Sequence, residues 1–375
     1  MRIVIVKLSA IGDVVHALPA VAALRRALPA AHLSWVAEKR AAAILKDSPL
    51  IDELIELDTR AWRKRAFSRA TLDEIRQQLG VMRSDTGVDL AIDFQGLMKS
   101  GVVMKATRAR RRVGFASNEL REPLSRHLLT QQVDTSSSRH VIEKNLALAR
   151  AAVTGIAGVD EAAFAPSGYE FPIALSEEDE RYAEAVIETD ATPFALLNPG
   201  GGWPTKLWPA ERFGALADQL YEQHGLVSFI TFGPGEEELA RAVVRHTQSG
   251  AARVIASTLK QFVALARRAA LFVGGDTGPL HLAAAARTPI VGIYGPTSPE
   301  RNGPFDPQDI TVGRDLWCRD GCHRRACWHW ECMDIPVSAV ARAATERLNR
   351  AAQAAPVFVQ LDAPRREAAE RSADY

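Results

Sequence analysis

Short apolar runs alternate along the chain with longer segments in which apolar residues recur at helical spacing. The first run, between Arg2 and Lys7, is continuously apolar, which is typical of a buried parallel strand. A helix is then predicted from the spacing of Val14, Leu18, Val21 and Leu24. Further strands are predicted at 33–37, 54–57 and 90–94, and a further helix at 69–83. This alternation favours a parallel sheet with helices on both faces.

The same alternation begins again after a glycine- and proline-containing stretch at 154–172, which is typical of a connection between domains. Strands are predicted at 194–198, 227–232, 271–274 and 290–294, and helices at 209–224, 236–247, 258–270 and 278–286. We therefore predict an α/β protein with two Rossmann-like, doubly wound domains, residues 1–170 and 171–350. Residues 351–375, rich in Ala, Arg and Glu, are predicted to be a flexible tail. Ligands in such folds bind at the carboxyl ends of the strands, so two facing domains would bind them in the cleft between.

Composition narrows the class of protein. The chain has 375 residues, of which 47% are hydrophobic and 24% charged, as in a globular protein with a sizeable core. There is no apolar run of the length that spans a bilayer. The apolar stretch 3–6 ends at Lys7, too early for a signal peptide. We expect a cytoplasmic protein.

The net charge of +1 conceals a strong asymmetry. Residues 1–150 hold 25 Lys and Arg against 16 Asp and Glu, a net +9, whereas residues 151–375 hold 21 against 29, a net −8. A basic first half favours an anionic partner for that half. An accidental distribution of surface charge is the alternative.

Candidate chemistry begins in the first strand–helix loop, residues 7–13. This loop has one glycine and lacks the Gly-x-Gly-x-x-Gly pattern, which disfavours a nicotinamide-dependent oxidoreductase. Asp13 lies where the strand gives way to the helix. It is either a helix N-cap, a role that Asp favours, or a carboxylate base that projects into the cleft.

Two loops at strand ends in the second half suit a diphosphate. One is residues 198–206, where Gly200 and Gly201 let backbone amides approach phosphate and Lys206 adds a positive charge. The other is residues 274–281, where Thr277 and Gly278 open an Ala-rich helix whose N-terminus would attract an anion. His281, in that helix, is either part of the site or a packed core residue.

Four motifs together resemble the bacterial lipopolysaccharide heptosyltransferases, over residues 1 to about 300. They are Lys7-x-Ser9-x-x-Gly12-Asp13, Asp93-x-Gln95-Gly96-Leu97-x-Lys99-Ser100, Lys206-x-Trp208-Pro209, and Asp276-Thr277-Gly278-x-x-His281 with Tyr294-Gly295-Pro296-Thr297 after it. Within that family the resemblance is strongest to the heptosyltransferase I branch. The segments that carry this are Arg60-x-Trp62-Arg63-Lys64, Arg121-Glu122-Pro123-Leu124 and His140-x-x-Glu143.

The resemblance implies a GT-B fold and an inverting glycosyl transfer that needs no metal and no cofactor. It implies ADP-L-glycero-D-manno-heptose as donor and Kdo-lipid A as acceptor. Asp13 would be the base and Lys206 would stabilise the departing diphosphate. The implied donor-binding residues are Gly200, Gly201, Glu236, Asp276, Thr277, Gly278 and His281. The implied acceptor-binding residues are Ser9, Gly12, Arg60, Arg63, Lys64, Gln95, Arg121 and His140.

An anionic lipid acceptor agrees with the basic first half. Cationic residues cluster at 60–65 and 108–112, and Trp62 and Phe67 lie within and just after the first cluster. Such a surface suits peripheral attachment to the cytoplasmic face of the inner membrane, although a charge run is usually only a solvated face. Nucleic acid is not expected as a partner, and no obligate protein partner is expected.

The cysteines depart from the heptosyltransferase I pattern. All four lie in one stretch, at Cys318, Cys322, Cys327 and Cys332, and the gaps between them differ from those of common zinc sites. A structural zinc site, local disulfides and free thiols are three open interpretations, and reducing conditions disfavour disulfides. The cysteines also favour a second hypothesis, heptosyltransferase II or another member with a different acceptor. A non-catalytic protein that binds a sugar nucleotide is a more distant alternative.

Overall fold

Two parallel six-stranded sheets organise the chain in a computed structural model. The model describes residues 1–59, 61, 69, 77, 80, 87–164, 168–188, 193–318, 322, 326–327 and 329–354. All the pairings between neighbouring strands are parallel. Among these residues no helix is long and apolar enough to cross a membrane.

The first sheet has the strand order β3-β2-β1-β4-β5-β6. Its strands are β1 (Arg2–Val6), β2 (His32–Glu38), β3 (Glu53–Leu57), β4 (Leu90–Asp93), β5 (Arg111–Phe115) and β6 (Gln131–Val133). The helices around it are α1 (Ile11–Val15), α2 (Leu18–Ala27), α3 (Lys39–Ala42), α4 (Met98–Ala106) and α5 (Val141–Val153). Short 3₁₀ helices cover Pro123–Leu128 and Glu161–Phe164.

The second sheet has the strand order β12-β11-β10-β7-β8-β9. Its strands are β7 (Phe194–Asn198), β8 (Val227–Thr231), β9 (Ala252–Ile255), β10 (Leu271–Gly275), β11 (Ile290–Tyr294) and β12 (Ile310–Gly313). The helices around it are α6 (Glu177–Glu188), α7 (Ala210–His224), α8 (Glu237–Arg245), α9 (Leu259–Ala266), α10 (Gly278–Ala285), α11 (Pro299–Asn302) and α12 (Val337–Ala354). Further 3₁₀ helices cover Pro204–Lys206 and Glu331–Met333.

Both sheets are doubly wound in the same way, with the first strand of each in the middle. The order of the second sheet repeats that of the first when its strands are renumbered from β7. In each sheet the chain winds outward in one direction from the first strand and then in the other. The loops at the carboxyl ends of the two central strands therefore diverge and leave a crevice between them. This places the loops after β1, β4, β7 and β10 at the two switch points. The predicted α/β architecture with two Rossmann-like sheets is confirmed.

The central strands are buried on both faces, as their continuous apolar runs predicted. β1 has its last four residues buried, and β7, β10 and β11 are buried throughout. Trp35 packs on one face of the first sheet and Trp208 on one face of the second, both almost fully buried. Packing on both faces of each sheet fixes the positions of the strand ends. The loops that follow the strands therefore begin at fixed points.

Some elements differ from the sequence prediction. The helix predicted across residues 14–24 is two helices, because α1 ends at Val15 and α2 starts afresh with Pro19 in its first turn. The helix predicted at 69–83 falls largely outside the described residues. Four strands escaped prediction, β5, β6, β9 and β12. β5 begins with two arginines, and the edge strands β6, β9 and β12 are short and only partly buried, so none of the four has a continuous apolar run. The domain limits at 170 and 350 stay predictions.

Candidate active site

The two domains meet where α1 of the first approaches α10 of the second. A Cβ atom added to Gly278, the first residue of α10, would lie 3.2 Å from Cβ of Ile11. Two cavities of about 570 and 580 Å³ lie beside this contact and share Ala10, Thr277 and Gly278 in their walls. A smaller cavity of about 240 Å³ extends the first one into the basic domain. We call these the central, donor-side and acceptor-side cavities.

Asp13 lines both the central and the acceptor-side cavities. It is the third residue of α1, and its Oδ2 accepts a hydrogen bond of 3.0 Å from the backbone N–H of Ala10, which is the N-cap. The N-cap interpretation of Asp13 is therefore wrong by three positions, although the carboxylate does stabilise the helix start. The hydrogen bond to Oδ2 fixes a carboxylate that stands at the junction of the two cavities.

Opposing influences set the pKa of Asp13. Burial raises the pKa, but nearby Lys7, the Ala10 N–H, Arg121 and His281 lower it, and the balance lies below the ordinary value for Asp. The carboxylate is thus ionised at neutral pH, which is the state that a proton acceptor requires.

Lys7 is held behind Asp13 at the end of β1. Its Nζ donates to the carbonyl oxygen of Phe94 at 2.6 Å, and the side chain is buried. Burial lowers the pKa of Lys7, while Asp13 and Asp93 raise it. Gln95 completes the support, because its Oε1 accepts hydrogen bonds of 3.1 Å from the backbone N–H groups of both Leu8 and Ser9.

Gly12 lets a histidine of the other domain approach. A Cβ atom on Gly12 would overlap with Cδ2 of His281 and lie 3.2 Å from its Cγ. His281 is 4% exposed, and its ring packs edge-on against that of His16 with 4.3 Å between centroids. The ring is buried, as the core-packing interpretation predicts. It also lines the central cavity and donates from Nε2 to the carboxylate of Asp276, as the site interpretation predicts.

A hydrogen-bonded network around Asp276 forms the opposite wall of the central cavity. Nζ of Lys206 donates to Asp276 Oδ2 at 2.6 Å and to its carbonyl oxygen at 3.0 Å. Asp276 Oδ1 accepts from Nδ2 of Asn302 at 2.6 Å and lies 3.2 Å from Nε2 of His281. The ammonium of Lys206 also lies 4.2 Å from the ring centroid of Trp203, close enough for a cation–π contact.

This network keeps Asp276 charged. Burial raises the pKa of the carboxyl group, but His281 and Lys206 outweigh burial and hold the pKa well below the ordinary value. Lys206 and Asp276 are both more than nine-tenths buried, so their ion pair is little screened by water.

Glu236 organises the glycine-rich loop of the donor-side cavity. Its Oε1 accepts from the N–H of Gly201 at 3.2 Å and its Oε2 from the N–H of Gly233 at 2.9 Å. A side chain on Gly200 would collide with this carboxylate. The cavity wall also contains Thr277 and Gly278 at the start of α10, and Lys39 and Arg40 of the basic domain. The helix N-terminus at Thr277 and Gly278 and the positive charges of Lys39 and Arg40 favour a phosphate group here.

The acceptor-side cavity is rich in charge. It is lined by Lys7, Lys144, Arg121 and Arg301, with Asp13 and Glu119 among them. Glu119 forms an ion pair with Lys144 at 2.8 Å. Arg121 and Arg301 also line the central cavity, so they are the cations nearest the opening between the two cavities. The arrangement suits a small anionic group next to Asp13.

Comparison with known proteins identifies the chain. The family model for glycosyltransferase family 9 (heptosyltransferase) matches residues 77–329, more than half of the chain. The chain belongs to glycosyltransferase family 9. It is an enzyme, a glycosyltransferase, and it is similar to lipopolysaccharide heptosyltransferase 1 of Pseudomonas aeruginosa and of Escherichia coli.

Relatives and solved structures of family 9 agree with this. Lipopolysaccharide heptosyltransferase 1 of Pseudomonas aeruginosa is 27% identical over 332 residues, 87% of each chain. The structure of E. coli heptosyltransferase WaaC with ADP has a TM-score of 0.72 at 24% identity, covering 92% of this chain and all of that one. WaaC with ADP-2-deoxy-2-fluoro heptose has a TM-score of 0.69 at the same identity, covering 92% and 99%. E. coli heptosyltransferase II has a TM-score of 0.73 at 22% identity, covering 94% and 100%. These structures show that the fold is GT-B.

Several predicted acceptor-side residues of this family 9 enzyme have other contacts, or no description. Arg60, Arg63 and Lys64 lie outside the described residues. Ser9 supplies its backbone N–H to Gln95, and the three cavities do not include it in their described walls. His140 caps α5 by accepting from the N–H of Ile142, and its Nε2 lies 3.1 Å from the carbonyl oxygen of Gly303 in the second domain. Their acceptor-binding roles stay predictions.

The cysteines do not support a structural zinc site. All four are free thiols, so the disulfide interpretation is wrong for this structure. In the part of the chain that the structure describes, no group of three or more His, Cys, Asp or Glu side chains is arranged to hold a metal ion. Cys322 lines the central cavity, and Cys332 lies in the 3₁₀ helix Glu331–Met333, which packs beside Gly295. Burial, followed by the nearby Cys322, Cys327 and Cys318, raises the pKa of the Cys332 thiol.

Three residues of the site escaped prediction. Asn302 and Arg301 come from α11, a four-residue helix after β11. Residues 295–297 follow the end of β11, and this position could have indicated that the next residues reach the site. His16 falls in the break between α1 and α2. It is 2% exposed, it lines the central cavity, and neither of its ring nitrogens has a hydrogen-bond partner among the described residues. The start of a new helix at Pro19 was the signal for that break.

Proposed function

We propose that this enzyme transfers L-glycero-D-manno-heptose from ADP-heptose to the Kdo residue of Kdo-lipid A, with inversion at the anomeric carbon and without a metal ion. The observation that carries the proposal is the position of Asp13. An ionised carboxylate stands where the acceptor-side cavity opens into the central cavity, and Lys206 lines the far wall.

In the proposed reaction, Asp13 accepts the proton of the acceptor hydroxyl. The hydroxyl oxygen forms a bond to the anomeric carbon while the bond from that carbon to the β-phosphate oxygen breaks. ADP then leaves with the electron pair. The Ala10 N–H that binds Oδ2 would keep the carboxylate oriented throughout.

Charge grows on the diphosphate as it leaves, and cationic or N–H groups are needed to stabilise it. Lys206 supplies a charge, and backbone amides around Gly200, Gly201, Thr277 and Gly278 would supply donors on the donor side, the Gly201 N–H after exchanging its bond to Glu236. We assign these groups the role that a divalent ion plays in other glycosyltransferases. Asp276 would bind heptose hydroxyls, and Glu236 would hold the ribose.

Inversion is supported by where the two groups lie. Asp13 belongs to the first domain and Lys206 to the second, and the central cavity separates them. A sugar bound between them would be attacked from the Asp13 side while the diphosphate departs towards Lys206. Such an in-line displacement inverts the configuration.

The acceptor assignment is supported by charge. Arg121 and Arg301 border Asp13, and a carboxylate on the acceptor sugar would fit between these guanidinium groups. The proposed acceptor is lipid-linked, so we also propose peripheral attachment to the cytoplasmic face of the inner membrane.

A transfer assay with two acceptors tests the proposal. ADP-heptose is supplied with either Kdo-lipid A or heptosyl-Kdo-lipid A, and the product is detected by mass. Product with Kdo-lipid A alone supports the proposal. Product with heptosyl-Kdo-lipid A alone contradicts it and favours the heptosyltransferase II alternative. Product with neither, although ADP-heptose binds, would favour a different acceptor or a non-catalytic binding protein.

A further inference from the structure

An exposed apolar patch lies on the basic domain beside the acceptor side of the cleft. It consists of Met98 and Val102 on α4 and Leu124 in the 3₁₀ helix Pro123–Leu128, and we call it the apolar ledge. Val102 is 57% exposed and Leu124 is 68% exposed. We propose that the apolar ledge, with the cationic residues around it, is the surface by which the enzyme docks on a bilayer of anionic phospholipid.

The ledge is one surface because its two segments are in direct contact. The N–H of Met98 donates to Oε2 of Glu122 at 2.6 Å, next to the start of the 3₁₀ helix. A Cβ atom on Gly101 would lie 2.7 Å from Cδ1 of Leu128, so the helices touch along their length. Met98 and Val102 are four residues apart and share one face of α4.

Exposed cations lie on the same two segments as the ledge. They are Lys105 in the last turn of α4, Arg108 and Arg110 directly after it, and Arg126 in the 3₁₀ helix. None of the four forms an ion pair with any residue in the described part of the chain. Apolar side chains next to unpaired cations match the layering of an anionic bilayer, with headgroup charge outside and hydrocarbon beneath.

The position of the ledge fits a lipid-borne acceptor, and this step rests on the proposed function. Gln95 and Arg121, which line the acceptor-side cavity, precede Met98 and Leu124 by three residues each. A bilayer seated on the ledge would therefore lie beside the mouth of that cavity. The acceptor sugar could then enter the cleft while its acyl chains remain in the membrane.

A second copy of the chain fits this surface less well. Three apolar side chains bury far less area than the roughly 1,200–2,000 Å² of a stable interface. Across a twofold axis the four cations would also face the same four cations, which is repulsive. Anionic headgroups remove that repulsion, so charge complementarity favours the bilayer.

Vesicle flotation of the full-length enzyme, without donor or acceptor, tests the docking surface. The vesicles contain either phosphatidylcholine alone or phosphatidylcholine with about one-third phosphatidylglycerol. We expect the enzyme to float with the anionic vesicles, less so as salt rises, and not with the neutral ones. Each cation near an anionic surface changes partitioning about five-fold, so a K105E/R108E variant should bind at least roughly 25-fold more weakly.

Matched variants separate the ledge from general surface effects. A V102D/L124D variant should also lose vesicle binding, because it places charge where hydrocarbon is expected. Y221D, at a 45% exposed aromatic on α7, and R342E, on α12, make the same kinds of change on the other domain and should bind as the wild type does. Melting temperatures close to that of the wild type would show that each variant is folded.

The proposal is overturned if the wild type ignores anionic vesicles or if the ledge variants bind them like the wild type. It is also overturned if chromatography shows a dimer that the ledge variants abolish. A transfer assay with a water-soluble, deacylated acceptor tests the proposed function independently of membrane binding. We expect the ledge variants to transfer heptose to this soluble acceptor at the wild-type rate. If the wild type itself transfers nothing to it, the proposed function is refuted, but the flotation result still stands.

Discussion

At the scale of single residues, Asp13 combines a structural role with the proposed chemical one. The hydrogen bond from the Ala10 N–H occupies one carboxylate oxygen, and the residue lines two cavities at once. Its low pKa reduces its strength as a base but keeps it ionised. A proton acceptor of this kind acts through its position more than through its basicity.

We predict that Asp13→Asn lowers kcat by about 10²–10⁴-fold, because the amide cannot accept the proton of the acceptor hydroxyl. The amide keeps an oxygen that can still accept from the Ala10 N–H, so the melting temperature should stay near that of the wild type. Initial rates with saturating donor and acceptor give the measurement.

The matched control for that variant is Asp315→Asn, at an exposed carboxylate outside the three cavities. It should turn over like the wild type. If Asp13→Asn is folded and retains near-normal turnover, Asp13 is not the base.

The sequence could predict candidate residues in the segments that follow a central strand. Asp13, Lys206 and Asp276 were proposed in this way, because the carboxyl ends of parallel strands converge on one edge, and the structure places all three at the central cavity. Asn302 and Arg301 could not be, since the path of the chain after β11 through a four-residue helix decides where they lie. His16 was missed because its apolar neighbours continue the helical spacing across the break at residues 16–17.

At the scale of elements, the contact between α1 and α10 joins the domains. It is close because glycine occupies the facing positions, Gly12 on one helix and Gly278 on the other. His281 fills the space above Gly12 and reaches Asp276 from there. The proposed base on α1, Asp13, and the carboxylate of Asp276 before α10 are thus positioned by the same packing.

Gly12→Ala should lower the free energy of unfolding by about 1–3 kcal/mol, because the new methyl group overlaps with the buried ring of His281. Activity should fall as well, since the strain displaces a helix that carries Asp13. Denaturant unfolding and the transfer assay measure the two effects.

Two further variants show whether His281 is the cause. Gly202→Ala places a methyl group where nothing lies within 4 Å and should leave stability unchanged. In a His281→Ala background the cost of Gly12→Ala should largely disappear, since the overlapping ring is gone. An undiminished cost there would contradict the proposed contact.

At the scale of the whole molecule, three histidines from distant parts of the chain meet at the domain seam. The rings of His140 and His281 pack edge-on against His16, at centroid distances of 6.0 and 4.3 Å. Burial, followed by the charges of His281 and His140, holds the pKa of His16 well below its ordinary value. Burial also lowers the pKa of His140.

This predicts a pH dependence of stability. The unfolded chain protonates His16 near its ordinary pKa of about 6.5, whereas the folded chain does not, so acid favours unfolding. Between about pH 7.5 and 5.5 the wild type should lose about 1 kcal/mol more unfolding free energy than His16→Gln. Denaturant titrations at both pH values measure the difference.

The wild type must be compared with His16→Gln because Asp309 changes the pH dependence of stability in the opposite direction. Burial, opposed by Arg347, raises the pKa of Asp309 to about 6, so the folded state gains from its protonation as pH falls through this range. That effect is common to the wild type and to His16→Gln and cancels between them. His127→Gln, at an exposed histidine, should show the full wild-type dependence. Equal pH dependence in the wild type and His16→Gln would contradict the prediction.

The overall architecture was predictable because its central strands are buried on both faces. β1, β7, β10 and β11 appear in the sequence as unbroken apolar runs. The edge strands β6, β9 and β12 and the inner strand β5 were missed, because each carries mixed polar and apolar residues, whereas the edge strand β3 was predicted from its apolar residues. The facing of the domains depends on contacts across the seam, such as the packing of the His281 ring on Gly12 and the hydrogen bond between His140 and the carbonyl oxygen of Gly303. No local pattern in the sequence encodes those contacts.

The ion pair between Lys206 and Asp276 has a consequence for how binding energy would be used. In the resting enzyme Asp276 already satisfies Lys206, so a bound diphosphate must share the lysine with a carboxylate that competes for it. The competition weakens as negative charge accumulates on the departing group, and the lysine then attracts the diphosphate more strongly. The ion pair would thus make donor binding weaker in the ground state than in the transition state. Such a difference raises the reaction rate instead of the affinity for the donor.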